Sequence, residues 1–292
     1  MLQFLMQLIN GLNSGSIYAL IALGYTMVYG IAKLINFAHG DIIMVGAYVC
    51  FLCLTTWKLP LAAAIAISIV ACTLLGIVIE KVAYKPLRNA SRISLLITAI
   101  GISYLLQSSF QLIFTANPKP FPTIISLPAL TIGGISIAAT YYITFLVSVI
   151  LMVALHLFVQ KTKTGKAMRA VSEDAGAAQL MGININKTIS ITFGIGSALA
   201  AVAGILYCAS YPMVTPYIGS LPGIKAFIAA VLGGIGSIPG AVLGAFILGL
   251  VEALTKAYLS SRMSDAIVFI VLIVMLVFKP SGILGKNVKE KV

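Results

Sequence analysis

Apolar runs of membrane-spanning length dominate the chain and leave it few folds to choose from. They lie near residues 10–31, 41–57, 60–80, 93–115, 141–159, 188–211 and 264–279. A helix needs about 20 apolar residues to cross a bilayer. In lipid every backbone polar group must be satisfied internally, so such runs form helices. A longer stretch, 224–258, is interrupted by Gly233-Gly234-Ile235-Gly236-Ser237-Ile238-Pro239-Gly240. No helix passes smoothly through that sequence. It reads as two short segments joined by a turn, or as a re-entrant pair, and such breaks survive at membrane depth only inside protein or beside a water-filled cavity. The expected fold is all-α: a polytopic membrane helix bundle with seven long spans plus a broken short-helix hairpin, up to nine crossings in all. Hydrophobic residues make up 60% of the chain and charged residues 9%, against about 25% charged in soluble domains. That balance excludes an ordinary soluble enzyme, and it excludes disorder.

Charge sets the expected orientation. The formal net charge is +12, which in a soluble chain would raise the question of nucleic acid. Here the basic residues gather between apolar runs, so lipid is the expected partner and nucleic acid is not. Lys81, Lys85, Arg88 and Arg92 follow the third run; Lys161, Lys163, Lys166, Arg169 and Lys187 follow the fifth; Lys279, Lys286, Lys289 and Lys291 form the tail. With Lys33, these are all but five of the 19 basic residues, the others being Lys58, Lys119, Lys225, Lys256 and Arg262. By the positive-inside rule the larger set lies in the cytoplasm. The N-terminus is then outside, the C-terminus is cytoplasmic, and 224–258 enters and leaves on one side. No basic n-region precedes the first run, so no cleavable signal peptide is expected. The connection 115–140, with Pro118, Pro120, Pro122, Pro128 and Gly133-Gly134, reads as an extended outer loop. The chain is expected to be one membrane domain, 1–292, without a soluble domain.

A repeat is hinted at. Gly15-Ser16 with Ala19, Ala22 and Gly24 resembles Gly196-Ser197 with Ala200, Ala203 and Gly204. Each is followed by a broken segment and then by Gly46-Ala47-Tyr48 or Gly244-Ala245-Phe246. Duplicated halves are common in transporters, but small residues at helix spacing also recur in any packed membrane bundle.

Few polar groups stand at depth. Asn36-Phe37-Ala38-His39-Gly40-Asp41 separates two apolar runs with almost no loop. Polar groups there are costly in lipid and usually face a pathway or the bundle interior. A break at this point frees helix ends that could meet the carboxylate and ammonium of an amino acid. A tight interfacial turn with Asp41 capping the next helix accounts for the same residues. Glu252 lies late in an apolar helix, either as a functional carboxylate or paired with Lys256 at i+4. Asp265 suits the N-terminus of the last span, and His156 reads as interfacial packing. The candidates for a pathway are Asn36, His39, Gly40, Asp41, Gly234, Gly236, Pro239 and Glu252. Cys50, Cys53, Cys72 and Cys208 all sit in apolar stretches and read as small core residues, so no metal site is expected.

The loop 160–187 is too polar to span. Its Ala, Met, Glu, Gln and Leu favour a helix, with Gly182 as the C-terminal stop. Such a helix either docks on a cytoplasmic partner or lies on the membrane surface. The chain has no G-x-x-x-x-G-K-[ST] phosphate loop and no visible catalytic pair, so neither ATP hydrolysis nor another enzymatic activity is expected of it.

Together these residues resemble the LivH-type permease of branched-chain amino acid ABC importers. The marks are Gly15-Ser16-Ile17-Tyr18-Ala19-Leu20, the Asn36-to-Gly40 N-F-A-H-G, Pro86-Leu87-Arg88, the loop Gly165-to-Asn184, Lys225-Ala226-Phe227, Leu232-to-Ala241, and Lys279-Pro280-Ser281-Gly282. The resemblance covers nearly the whole chain. It implies a permease of the inner (plasma) membrane that moves leucine, isoleucine or valine by ATP-driven alternating access. It implies a second, LivM-type permease, two cytoplasmic ATPases that bind the ATP and Mg, and an extracytoplasmic substrate-binding protein. It makes 160–187 a coupling loop, with Gly165, Arg169, Glu173, Asp174 and Gly182 as candidate ATPase-coupling residues. Related permeases for urea, short amides or other amino acids share much of the pattern, and a secondary carrier is the alternative from another class.

Overall fold

The computed structural model describes residues 2–34, 36–88, 90–132 and 134–285, so the tail lysines Lys286, Lys289 and Lys291, and Gly133 of the outer loop, lie outside the described residues. Its helices are α1 (Leu2–Ala32), α2 (His39–Thr55), α3 (Leu61–Ile79), α4 (Arg92–Phe114), α5 (Ala139–Lys161), α6 (Lys163–Glu173), α7 (Ala175–Leu180), α8 (Ile185–Ser210), α9 (Ser220–Gly233), α10 (Ile238–Tyr258) and α11 (Ser261–Phe278). A π-helical turn, Glu80–Tyr84, and a 3-10 turn, Lys85–Leu87, extend α3. Strands are few and short: β1 (Lys119–Pro120) pairs antiparallel with β4 (Met213–Val214), and β2 (Leu130–Ile132) with β3 (Ile135–Ile137).

Seven described helices are long and apolar enough to cross a membrane. The number agrees with the reading of the sequence, but the membership differs. The 41–57 run forms α2, only 17 residues long, while the interrupted stretch yields a 21-residue α10 beside a 14-residue α9. At 1.5 Å per residue α2 and α9 are about 26 and 21 Å long, short of a hydrocarbon core of about 30 Å.

The core is built on α1. It runs antiparallel to α8, with Asn13 Nδ2 3.4 Å from Ser210 Oγ and Gly24 facing Gly196. It also runs antiparallel to α10, where Gly11 and Gly15 lie against Leu250, Gly249 and Phe246. A side chain at Gly11 or Gly15 would meet the backbone of α10 at about 3 Å. Small residues here let the helices approach closely, which supplies dispersion contact where lipid supplies no hydrophobic drive between helices.

The same order returns in the second half. Helices α1 to α4 and α8 to α11 each run long, short, long, long, and α1 packs on α9 and α10 as α8 packs on α2 and α3. The Gly15-Ser16 and Gly196-Ser197 motifs occupy α1 and α8, the equivalent helices. The second pair does not correspond: Gly46 lies in α2, whose counterpart is α9, whereas Gly244 lies in α10.

Both short helices begin inside the bundle. His39 opens α2 against Gly24, so α2 starts about 12 Å above the end of α1. Gly219 precedes α9 and faces Gly40 and Ile43, and Ile43 in turn lies on Gly204, about 9 Å before the end of α8. Residues 36–38 and 211–219 therefore lead back in from opposite faces, and the N-termini of α2 and α9 meet at Gly40 and Gly219. The α9–α10 turn lies beside Gly30 near the end of α1, and 281–285 closes over it through Ile283 N–H to Leu232 O and Leu284 N–H to Gly233 O, both 2.9 Å. Thus 224–258 enters and leaves on the side of the α1 N-terminus, as the charge pattern implied, with α9 starting part-way through.

At Gly219 a Cβ would collide with the carbonyl of Gly40, whereas at Gly101 it would meet nothing within 4 Å. Overpacking against fixed backbone costs about 1–3 kcal/mol. Gly219→Ala is expected to lower the thermal midpoint of the purified protein in detergent, and Gly101→Ala to leave it unchanged or slightly higher.

Candidate functional site

Where α2 and α9 meet, α4 leans across and borders a half-open cavity of about 490 Å³. Its polar pole is Asp41, Ser103, Gln107 and Ser220; its walls include Tyr25, Phe37, Leu96, Ile100 and Ile224. Gln107 Nε2 lies 2.8 Å from Asp41 Oδ1, 3.2 Å from Ser103 Oγ and 3.4 Å from Ser220 Oγ. Asp41 is buried at 2% exposure. It stands in the first turn of α2, where a negative charge suits the helix dipole. Neither α2 nor α9 has a side-chain N-cap. Elsewhere α4 packs loosely, held mainly where Phe110 and Phe114 lie against Tyr48 at ring distances of 5.2 and 4.7 Å.

A second cavity, about 240 Å³, lies nearer the α1 N-terminus and is lined by Tyr18, Tyr207, Tyr211, Lys225, Glu252, Lys256 and Asp265, among others. Here the charges compensate one another. Glu252 Oε1 is 2.7 Å from Lys225 Nζ and 2.6 Å from Lys256 Nζ, and its Oε2 accepts the Tyr18 hydroxyl at 2.6 Å. Lys225 also meets Asp265 at 2.6 Å. The i+4 partner was legible in the sequence. Lys225 was not: it was grouped with the outer charges, yet it is 7% exposed and lies within α9.

A third polar group was missed altogether. Glu80, fully buried at the start of the π turn, pairs with Arg88 and accepts from Ser190 Oγ at 2.5 Å. Arg88 Nη1 also donates to Asn186 Oδ1 at 2.7 Å, in the first turn of α8. Four residues on from Glu80, the Tyr84 hydroxyl donates to Asn36 Oδ1 at 3.0 Å. The π turn thus ties the start of α8 to the break before α2. The signal available was an acid closing the third apolar run, followed by Arg88.

The structure distributes the expected pathway residues. Gly40 and Asp41 line the larger cavity and Glu252 the smaller. Asn36 is held by Tyr84, and His39 is buried edge-on to Tyr25, ring centroids 4.7 Å apart. Neither lines either of these two cavities. Gly234 and Gly236 adopt φ of +105° and +96° in the α9–α10 turn, and Pro239 opens α10 behind them.

The loop 160–187 forms two helices, not one. Asp174 ends α6 and caps α7, accepting the Ala177 N–H at 2.9 Å. Gly165 lies against the carbonyls of Phe158 and Val159, so a side chain there would collide. Arg169 folds back on Gln160 at 3.1 Å, and Gly182 takes φ +82° just past α7. Glu173 is exposed, and Leu180 and Met181 are 90% and 82% exposed at the tip.

The family described as branched-chain amino acid transport system / permease component matches residues 7–276. The chain belongs to this family. Its relatives include the high-affinity branched-chain amino acid transport system permease proteins BraD of Pseudomonas aeruginosa and LivH of Escherichia coli K12. They are 44% and 45% identical, and the matches cover 99% and 100% of this chain and 98% of each relative. A solved structure, PsaBC from Streptococcus pneumoniae in complex with Fab, matches the permease's fold. Its TM-score is 0.52 at 14% identity, over 95% of this chain and 92% of that one. The permease is therefore a multi-pass membrane transporter subunit, not an enzyme.

Removing one partner of a buried ion pair costs about 3–5 kcal/mol, whereas an exposed pair is worth about 1 kcal/mol or less. Lys225 is buried and Lys256 is 43% exposed. Glu252→Ala is expected to lower the thermal midpoint markedly and Lys256→Ala only slightly, read by unfolding in detergent.

Proposed function

We propose that this chain is the transmembrane permease subunit of an ABC importer that carries branched-chain amino acids across the inner membrane by alternating access. The carrying observation is the cavity at the meeting of α2 and α9. One pole holds a carboxylate, an amide and hydroxyls, and the walls are apolar. That division suits a small molecule with a zwitterionic end and a branched apolar end. The full-length relatives named for branched-chain amino acid transport support the same reading.

Partners follow from what this chain leaves unfinished. A second, LivM-type permease covers part of α4 and α11, whose faces are largely exposed, lipid covers the rest, and the ligand passes between the two permeases. Two cytoplasmic ATPases bind ATP and Mg and dock on 160–187, where Leu180 and Met181 offer apolar knobs beside Glu173. An extracytoplasmic binding protein delivers the amino acid and sets most of the selectivity. The α6–α7 loop leads directly into α8, whose Asn186 holds Arg88, and Arg88 and Tyr84 carry that connection to Asn36 beside the cavity. Movement of the loop by the ATPases thereby reaches the break at α2.

Radiolabelled leucine uptake into proteoliposomes tests the function, with both permeases, the ATPases and internal ATP, and the binding protein outside. Uptake is expected to need ATP and the binding protein, and to be competed by valine but not by urea. Competition by urea overturns the ligand class, and uptake by this chain alone overturns the importer reading. Leu180→Glu with Met181→Glu is expected to abolish co-purification of the ATPases from detergent-solubilised membranes while the permease still inserts.

A further inference from the structure

Among the described residues, Glu80, Glu252 and Asp265 each have a Lys or Arg within ion-pairing distance, and Asp41 has none. It is nonetheless buried, in the first turn of a helix that begins inside the bundle, and it lines the larger cavity. A carboxylate placed at such depth without a cation is a functional suspect whose partner has to be named. Its side-chain partners are neutral donors, the amide of Gln107 at 2.8 Å and the hydroxyl of Ser103, and that amide is shared with the Ser103 and Ser220 hydroxyls. An amide satisfies lone pairs but not charge. The cavity beside it is lined by Leu96, Ile100 and Ile224, which offer apolar surface and no charge.

We propose that Asp41 is the ammonium subsite of the translocation cavity: it receives the protonated primary amine of an amino acid in transit. This rests on the importer reading above. The arriving ammonium takes the Asp41 oxygen that Gln107 now holds, and Gln107 turns to Ser103 and Ser220. The side chain of the ligand then lies along Ile100, Leu96 and Ile224. Recognition of this kind selects for an amine. It discriminates weakly among leucine, isoleucine and valine, because the apolar wall is open rather than a fitted pocket. The same carboxylate disfavours a carboxylic acid of identical shape that lacks the amine, through like-charge repulsion.

Two measurements on the complete transporter test this. The first is ATP-driven leucine uptake, with ATPase stimulation by loaded binding protein read in parallel. Asp41→Asn keeps the shape and removes the charge. It is expected to reduce uptake on the order of tenfold while stimulation persists, and Asp41→Glu is expected to recover part of the uptake. Wild-type uptake in Asp41→Asn overturns the proposal. So does joint loss of uptake and stimulation in both variants, which marks a structural cap.

The second measurement reads occupancy without transport. Tyr104→Cys on the cavity wall is labelled with a maleimide in the assembled complex; the four native cysteines are buried. Leucine and leucinol, which carry the amine, are expected to slow labelling, and 4-methylpentanoate, which has the same side chain without it, is not. Asp41→Asn is expected to abolish the protection. Equal effects of leucinol and 4-methylpentanoate, or no protection by either, overturn the subsite. If wild-type leucine uptake is absent, the importer reading fails and the labelling result decides the subsite on its own.

Discussion

Everything in this fold follows from one constraint: a backbone break at membrane depth has no water to satisfy it. Two such breaks, at 36–38 and 211–219, lead into α2 and α9. Their inner ends are held by protein: Asn36 by Tyr84, Phe37 by Phe227, and Gly219 by Gly40 and Ile43. The surrounding helices approach closely where side chains are missing or small, at Gly11 and Gly15 of α1 against α10, at Gly24 of α1 against Gly196 of α8, and at Gly204 of α8 against Ile43 of α2. The tight glycine contacts and the open cavity are thus one design. Close packing on one side of α2 and α9 makes room for irregular backbone, and the loosely held α4 on the other side leaves space beside it.

Charge placement follows the same logic. Taking a charge out of water is expensive, and a buried pair roughly breaks even against an apolar replacement. The two networks that are matched stand toward opposite ends of the bundle. Glu252 with Lys225, Lys256 and Tyr18 joins α1, α9 and α10, and Asp265 brings in α11. Glu80 with Arg88, Ser190 and Asn186 joins the α3 extension to α8. Removing either acid strands a cation, so these groups specify which helices meet. Asp41 lies between the two networks, joins α2 to α4 through the neutral amide of Gln107 and hydroxyl of Ser103, and strands no cation if removed.

Much of the architecture was legible because lipid makes hydropathy decisive. The apolar runs, the break at Gly233–Gly240, the polar loop 160–187 and the place of Asp41 all followed from residues that are costly where they stand. What was not legible depended on distance in three dimensions. Lys225, at the start of the 224–258 stretch, groups with the outer charges by the positive-inside count; only the fold shows that Glu252 and Asp265 await it in α10 and α11. Glu80 reads as the edge of a span until Arg88 and Ser190 close on it. His39 is the opposite case. A histidine beside a break suggests a pathway, but α2 begins so far inside that the ring fills the space left by Gly24. Depth of the helix start decided its environment, and hydropathy does not report depth.

On the proposed function the larger cavity is a transit site, which has to release what it binds, and its lining suits that. Full burial of a leucine-sized side chain contributes roughly 1.5–3 kcal/mol. Leu96 and Ile100 remain 39% and 41% exposed on α4, and so contribute only part of this from that wall. At the polar pole an arriving group has to displace Gln107 from Asp41, which offsets part of any new contact. Affinity is expected to stay low on both counts. A closed apolar pocket with a preformed ion pair would hold the amino acid tightly and slow its exit. In the proposed importer the open wall and the exchangeable amide leave passage to be governed by which face of the bundle is open, with the loop that α8 follows as the proposed control.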